Sequence, residues 1–98
     1  MNTHRLKSKK EWIVSTFKEA REYERNYIGV VFELPDHPGR ELIINHSRNF
    51  DIKEEYYINN YDDDLCNIRN QEVKIVNLFS FNKMEDISSI DLSYTSTR

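Results

Sequence analysis

The sequence predicts a single α+β domain in the order α-β-β-α-β-β-α, its helices packed on a small, mostly antiparallel sheet. Three observations lead there. Apolar residues recur at helical spacing over residues 12–23 and 50–61. They alternate or run together over residues 27–34, 41–45 and 73–81. The densest turn signal, Pro35-Asp36-His37-Pro38-Gly39, holds both prolines and separates the first two strand-like segments.

Residues 1–7 show no periodicity and read as a flexible basic arm before a domain spanning 8–92, with 93–98 as a frayed tail. Ser8-Lys9-Lys10-Glu11 fits a capping box, so a helix is expected from there to about Arg25. Its apolar stripe is Trp12, Ile13, Phe17, Ala20 and Tyr23. Lys18, Arg21, Glu22 and Arg25 form the solvated face, and Asn26 stops the helix.

Residues 27–34 read as a strand with Ile28, Val30, Phe32 and Leu34 on one face. Residues 41–45 pair back as a hairpin, and Leu42-Ile43-Ile44 suggests burial on both faces or close to it. Ser47 or Asn49 can cap a second helix over 50–62, with Phe50, Tyr57 and Tyr61 on one side and Ile58 and Leu65 extending it. Asp51 and Glu54 favour the start of that helix. Asp62, Asp63 and Asp64 would be disfavoured at its end, which places them beyond it in a turn.

Residues 65–68 are a short strand candidate, and Asn70-Gln71 is a turn. Residues 73–81 form a further strand whose phase breaks near Val76 and Leu78, as a bulge would cause. Asn82-Lys83-Met84-Glu85 repeats the capping pattern before a short helix over 83–90 carrying Met84, Ile87 and Ile90. The expected core is Trp12, Phe17, Val30, Phe32, Ile44 and Ile75.

Composition agrees with one packed domain. The 98 residues fall under the roughly 100–150 typical of a domain, and two cores in this length would be too small to be stable. Charged residues are 32% of the chain, but six Tyr, five Phe and one Trp set it apart from a disordered polymer. No apolar run approaches the ~20 residues of a membrane span. Nor does an apolar segment follow the early cations as in a signal peptide. Cys66 is the only cysteine, so no internal disulfide is available. A cytoplasmic protein with no membrane partner is expected.

The net charge of −3 argues against direct nucleic-acid binding. It is unevenly spread. Residues 1–10 hold four cations and no acid, whereas residues 51–64 hold six acids against Lys53.

No catalytic motif stands out, and neither an enzyme activity, a cofactor nor a metal is expected. With two glycines, a glycine-rich phosphate loop is excluded in its usual form. Cys66 lacks the context of a nucleophile and reads as a small buried hydrophobe. His37 and His46 flank the second strand and, with Asp36, could form a metal site or an acid–base pair. Solvated polar residues are the ordinary case at such positions. The three consecutive aspartates lack the spaced ligands of a calcium loop.

Residues 54–64 are the most informative. Three tyrosines within six helical residues cannot all face one core, so at least Tyr56 should be exposed. Glu54, Glu55, Tyr56, Tyr57, Asp62, Asp63 and Asp64 are therefore the expected partner-binding surface, with the rings giving contact area and the acids steering.

Lys10-Glu11-Trp12-Ile13, Tyr61-Asp62-Asp63-Asp64-Leu65 and Val73-Lys74-Ile75-Val76, with the small size and the Ile/Asn/Lys/Tyr/Asp bias, resemble uncharacterised accessory proteins of Gram-positive phages and mobile elements. The resemblance spans most of the chain. It implies a non-enzymatic protein that binds and inhibits a host protein, such as a nucleic-acid-binding defence protein. Anti-CRISPR and anti-restriction inhibitors are the familiar examples. The alternative is a regulatory or nucleic-acid-associated module using the basic arm and the first helix. A third class, a small enzyme or metal-binding domain, would draw on the histidines or the aspartates.

Overall fold

The first helix, α1 (Lys10–Glu22), starts where the Ser8 side chain replaces a missing helical acceptor. The Lys10 amide donates to Ser8 Oγ at 3.0 Å. The computed structural model describes residues 8–35 and 39–89. The helix ends in a Schellman turn, in which the Arg25 amide reaches back to the Ala20 carbonyl at 2.8 Å and the Glu24 amide to Arg21 at 3.2 Å. Glu24 holds the left-handed position of that turn at φ 55°.

The helix thus stops short of Arg25, and Asn26 is not its terminator. Asn26 instead donates two hydrogen bonds to Asn82, from its amide to Oδ1 and from Nδ2 to the carbonyl, tying the end of α1 to the end of the sheet. The buried face is Ile13, Thr16, Phe17 and Ala20. Trp12 and Tyr23, expected in the stripe, are 39% and 62% exposed. At 100° per residue they fall on the flank of a narrow stripe centred on Ile13 and Ala20.

The sheet has strand order β2-β1-β3, all antiparallel, built from β1 (Tyr27–Glu33), β2 (Arg40–His46) and β3 (Lys74–Phe81). The central strand β1 is the one buried on both faces, from Ile28 to Phe32. β2 is an edge strand, which corrects the expectation for Leu42-Ile43-Ile44. Ile43 is 43% and Ile44 37% exposed, so Ile44 is not a core residue. A strand with one neighbour cannot cover its side chains on both flanks.

β3 carries the expected bulge. Val31 pairs with Asn77 and Phe32 with Ile75, leaving Val76 unmatched. The extra residue lets Ile75 and Leu78, three positions apart, face the helices together.

A 3₁₀ turn (Ser47–Asn49) leads into α2 (Phe50–Asn60). Its cap is His46, whose Nδ1 accepts the Arg48 amide at 3.2 Å; neither Ser47 nor Asn49 caps α2. Residues 65–68 do not form a strand. They make two isolated bridges, Tyr61 to Asn67 and Cys66 to Lys74, because Leu65 at φ 69° interrupts extended backbone. The final helix is 3₁₀ (Met84–Ser89) rather than α, and Ile90 lies outside the described residues.

Both helices pack on one sheet face, giving the mixed α+β fold. Phe17 meets Phe50 edge-on at 5.5 Å, and Tyr57 lies between Phe17 and Phe32 at 6.4 Å from each. Ile13, Ile28, Val30, Tyr61, Leu65 and Ile75 complete the core, as expected for Phe17, Val30, Phe32 and Ile75. Among the described residues no helix is long and apolar enough to cross a membrane.

Candidate functional site

The residues expected to form one acidic, tyrosine-rich surface go to three different places. Tyr57 belongs to the core, with 2% of its surface exposed. Burial pushes its phenol up to about 12. Tyr57 Oη donates to Asn45 Oδ1 at 3.4 Å, and Asn45 Nδ2 donates to the Ile28 carbonyl at 3.2 Å. The helical periodicity that groups Tyr57 with Phe50 and Tyr61 is the sequence signal for this burial.

The acids mostly serve the fold. Glu54 and Asp51 both accept from Arg21 Nη2 at 2.7 Å, which joins α1 to α2. The hydrogen bond to Glu54 is the main reason the Arg21 guanidinium holds its proton more tightly than usual. Asp62 Oδ1 accepts the amides of Asp64 and Cys66 at 2.9 and 3.0 Å. Those amides, Cys66 first, hold its carboxyl below the usual range. Asp63 Oδ1 accepts from Ser8 Oγ at 2.8 Å, and its carbonyl accepts the Lys9 amide at 2.9 Å. Asp64 and Glu55 are exposed. Through Asp62 and Asp63 the triplet closes its own loop and ties it to the start of α1.

Tyr56 is the predicted residue that reaches solvent with a large ring, at 45% exposure. It rests edge-on against Tyr57 at 5.4 Å, with Lys53 Nζ 5.6 Å from its centroid. With Lys53 it walls a groove of about 240 Å³ between α2 and β2. Ile43 and Glu41 form the opposite wall, and Phe32 and Tyr61 the floor. Ile43 was missed as a surface residue. Its pairing opposite Val30 puts it on the helix face of the sheet, while its edge position leaves it uncovered.

The two sheet edges differ. The start of β3 is occupied by the Cys66–Lys74 bridge and by the Ile75 amide donating to the Leu65 carbonyl at 2.9 Å, and its middle is bulged at Val76. β2 pairs with β1 over seven residues with no register shift. Among the described residues its other edge has no neighbouring strand.

The remaining candidates do not assemble into a chemical centre. The His46 ring caps the 3₁₀ turn, Cys66 is a half-buried free thiol, and Asp36 and His37 lie outside the described residues, as does the basic arm. No group of three His, Cys, Asp or Glu side chains converges as metal ligands would among the described residues.

Fold and site together define a small mixed α+β protein in which an edge strand with no further strand beside it among the described residues borders an aromatic groove. No family model, curated protein or solved structure matches the chain.

Proposed function

We propose that the chain is a non-enzymatic binding protein that takes up an extended segment of a partner protein along β2. The observation that carries this reading is the juxtaposition of an unbulged edge strand with a groove walled by Ile43 and Tyr56, 43% and 45% exposed. Strand addition draws affinity from main-chain hydrogen bonds, each contributing about 0.5–1.5 kcal/mol, and specificity from alternate side chains. An apolar side chain of the added segment enters the groove and packs on the Tyr56 ring. The net charge of −3 favours approach of a basic partner. The resemblance to phage and mobile-element accessory proteins makes that partner a host protein, a defence protein first, with inhibition as the outcome.

The test compares the parent with Ile43→Glu and Tyr56→Ala, all shown to be folded, as baits for a host lysate. A partner retained by the parent is then purified and its footprint mapped by amide exchange. Slowed exchange of the β2 amides and at least ~10-fold weaker binding by Ile43→Glu are expected. Identical retention by all three baits, or protection confined to α1, overturns the reading.

A further inference from the structure

The outer flank of β2 has a definite hydrogen-bonding phase. The Ser47 amide donates to the Asn26 carbonyl at 2.9 Å, one step beyond the Tyr27–His46 pair, so Asn26 and Ser47 are a hydrogen-bonded pair of the antiparallel ladder. Such pairs alternate with non-hydrogen-bonded ones. The amides and carbonyls of Asn45, Ile43 and Glu41 therefore point at β1. Those of Leu42 and Ile44 point the other way, along the edge where no strand lies among the described residues.

The middle of the strand is also apolar on both faces. Ile43, on the helix face, is 43% exposed, and Ile44, on the other, 37%. On α2, Ile52 stands one helical turn before Tyr56 and is 69% exposed. Edge strands are ordinarily kept from pairing by a proline, a bulge or a mid-strand charge. From Leu42 to Ile44, β2 has none of these.

The strand is its own complement. Two copies of β2 laid edge to edge about a two-fold axis at Ile43 set Leu42 of each opposite Ile44 of the other, using the outward amides and carbonyls of both. Ile43 meets Ile43 on the helix face, in a non-hydrogen-bonded pair, where side chains approach most closely. Glu41 falls opposite Asn45, so no like charges oppose on that face. An axis between two residues would turn the outward groups of one copy onto the inward groups of the other. An axis at Leu42 would set Glu41 against Ile43. One register thus satisfies the main chain and both faces, as an isologous interface requires. It also brings Ile43 of the second copy to the open side of the groove walled by Ile43 and Tyr56.

We infer that, without a partner, a second copy of this chain pairs with β2 about a two-fold axis at Ile43, so that a partner segment is taken up only in exchange for it. The inference rests on the reading of β2 as a strand-accepting edge and adds the regulation of that edge.

The experiment uses the full chain alone, followed by sedimentation velocity and by amide exchange read residue by residue over a concentration series. A monomer–dimer equilibrium is expected. The Leu42 and Ile44 amides should exchange more slowly as concentration rises, whereas the Ile43 and Asn45 amides stay protected throughout. Ile43→Glu and Ile43→Lys should each dimerise at least ~10-fold more weakly than the parent, because like charges then meet at the axis. Their equimolar mixture should recover the dimer, as a register with Ile43 on the axis requires. Should either variant fail to fold, the exchange series on the parent decides. A monomer at every concentration, a dimer whose Leu42 and Ile44 amides exchange as in the monomer, or a mixture of folded variants no more dimeric than its components overturns the self-pairing. The strand-addition reading falls separately, on the footprint of a retained host partner.

Discussion

The Tyr57 hydroxyl and the Asn45 carboxamide meet inside the core, 3.4 Å apart, and form a polar link between α2 and the edge strand. Asn45 is the one buried residue of β2, and its amide group also satisfies the Ile28 carbonyl. Asn45→Ala strands both partners and should cost about 2–3 kcal/mol in urea unfolding. Tyr57→Phe should cost about 1 kcal/mol, because the long bond it removes is weak.

The same pair gives an alkaline signature. An unfolded tyrosine titrates near 10, whereas Tyr57 is pushed up to about 12 by burial. Its folded value is raised, so the stabilisation is fully present below pH 10 and is lost as pH rises from 10 towards 12. The fall should be of the order of 2–3 kcal/mol. Tyr61 is shifted upward by burial as well and adds to the slope with the same sign. Denaturation followed from pH 9 to 12 should show a steep loss in the parent and a shallower one in Tyr57→Phe.

Within the aspartate triplet the effects should separate. Asp62→Ala removes the acceptor of two backbone amides and should cost about 0.5–2 kcal/mol, as a lost helix cap does. Asp64→Asn should be neutral within about 0.5 kcal/mol. The Asp62 carboxyl is depressed, so its contribution is present above its unfolded value and is lost as pH falls through the folded one. Acid titration of the melting midpoint should be flatter in Asp62→Ala.

Glu24 and Leu65 hold left-handed backbone, and substitution by glycine should have opposite results. Glu24→Gly relieves the α1 terminus with an exposed side chain to lose, and should stabilise by up to about 1 kcal/mol. Leu65→Gly relieves similar strain but empties a site that is 1% exposed, and should destabilise by at least about 2 kcal/mol.

Gly29 is required by close approach rather than by its dihedral angle. A Cβ there would sit 2.6 Å from Phe79 Cζ and 3.1 Å from Leu42 Cδ1. Gly29→Ala should cost about 1–3 kcal/mol. The cost should shrink by at least about 0.5 kcal/mol in a Phe79→Leu background, a coupling that a double-mutant cycle reads directly.

Phe32→Ala should cost about 3–5 kcal/mol, since its ring packs on both Tyr57 and Tyr61. Trp12→Ala should cost much less, because the indole is 39% exposed beside α1's buried stripe. Thermal melts of the two variants rank them.

What the sequence made legible follows the range of the interactions. The phase of β1, the bulge in β3 and the extent of α2 depend on neighbours a few residues away, and each was readable. The exposure of Ile43 and Ile44 depends on strand order, which pairing partners far along the chain decide. Residues 65–68 have an apolar side chain at Leu65 and strand-like composition. Their conformation is instead set by Asp62 and Asn67 capturing backbone amides. The groove was half legible: Tyr56 by crowding on its helix, Ile43 not at all.

The strand order β2-β1-β3 also sets a timetable for folding. Glu33 meets Arg40, which is close in sequence, but meets Lys74 only after α2 and the Asp62 loop have been made. The hairpin of β1 and β2 closes a short loop, whereas docking β3 closes a long one at greater entropic cost. Until residue 81 is available, the flank of β1 that β3 covers is unpaired. A chain emerging from the ribosome therefore carries two unpaired strand edges between the completion of β2 and the completion of β3, a window in which chaperones or like chains compete with β3 for β1.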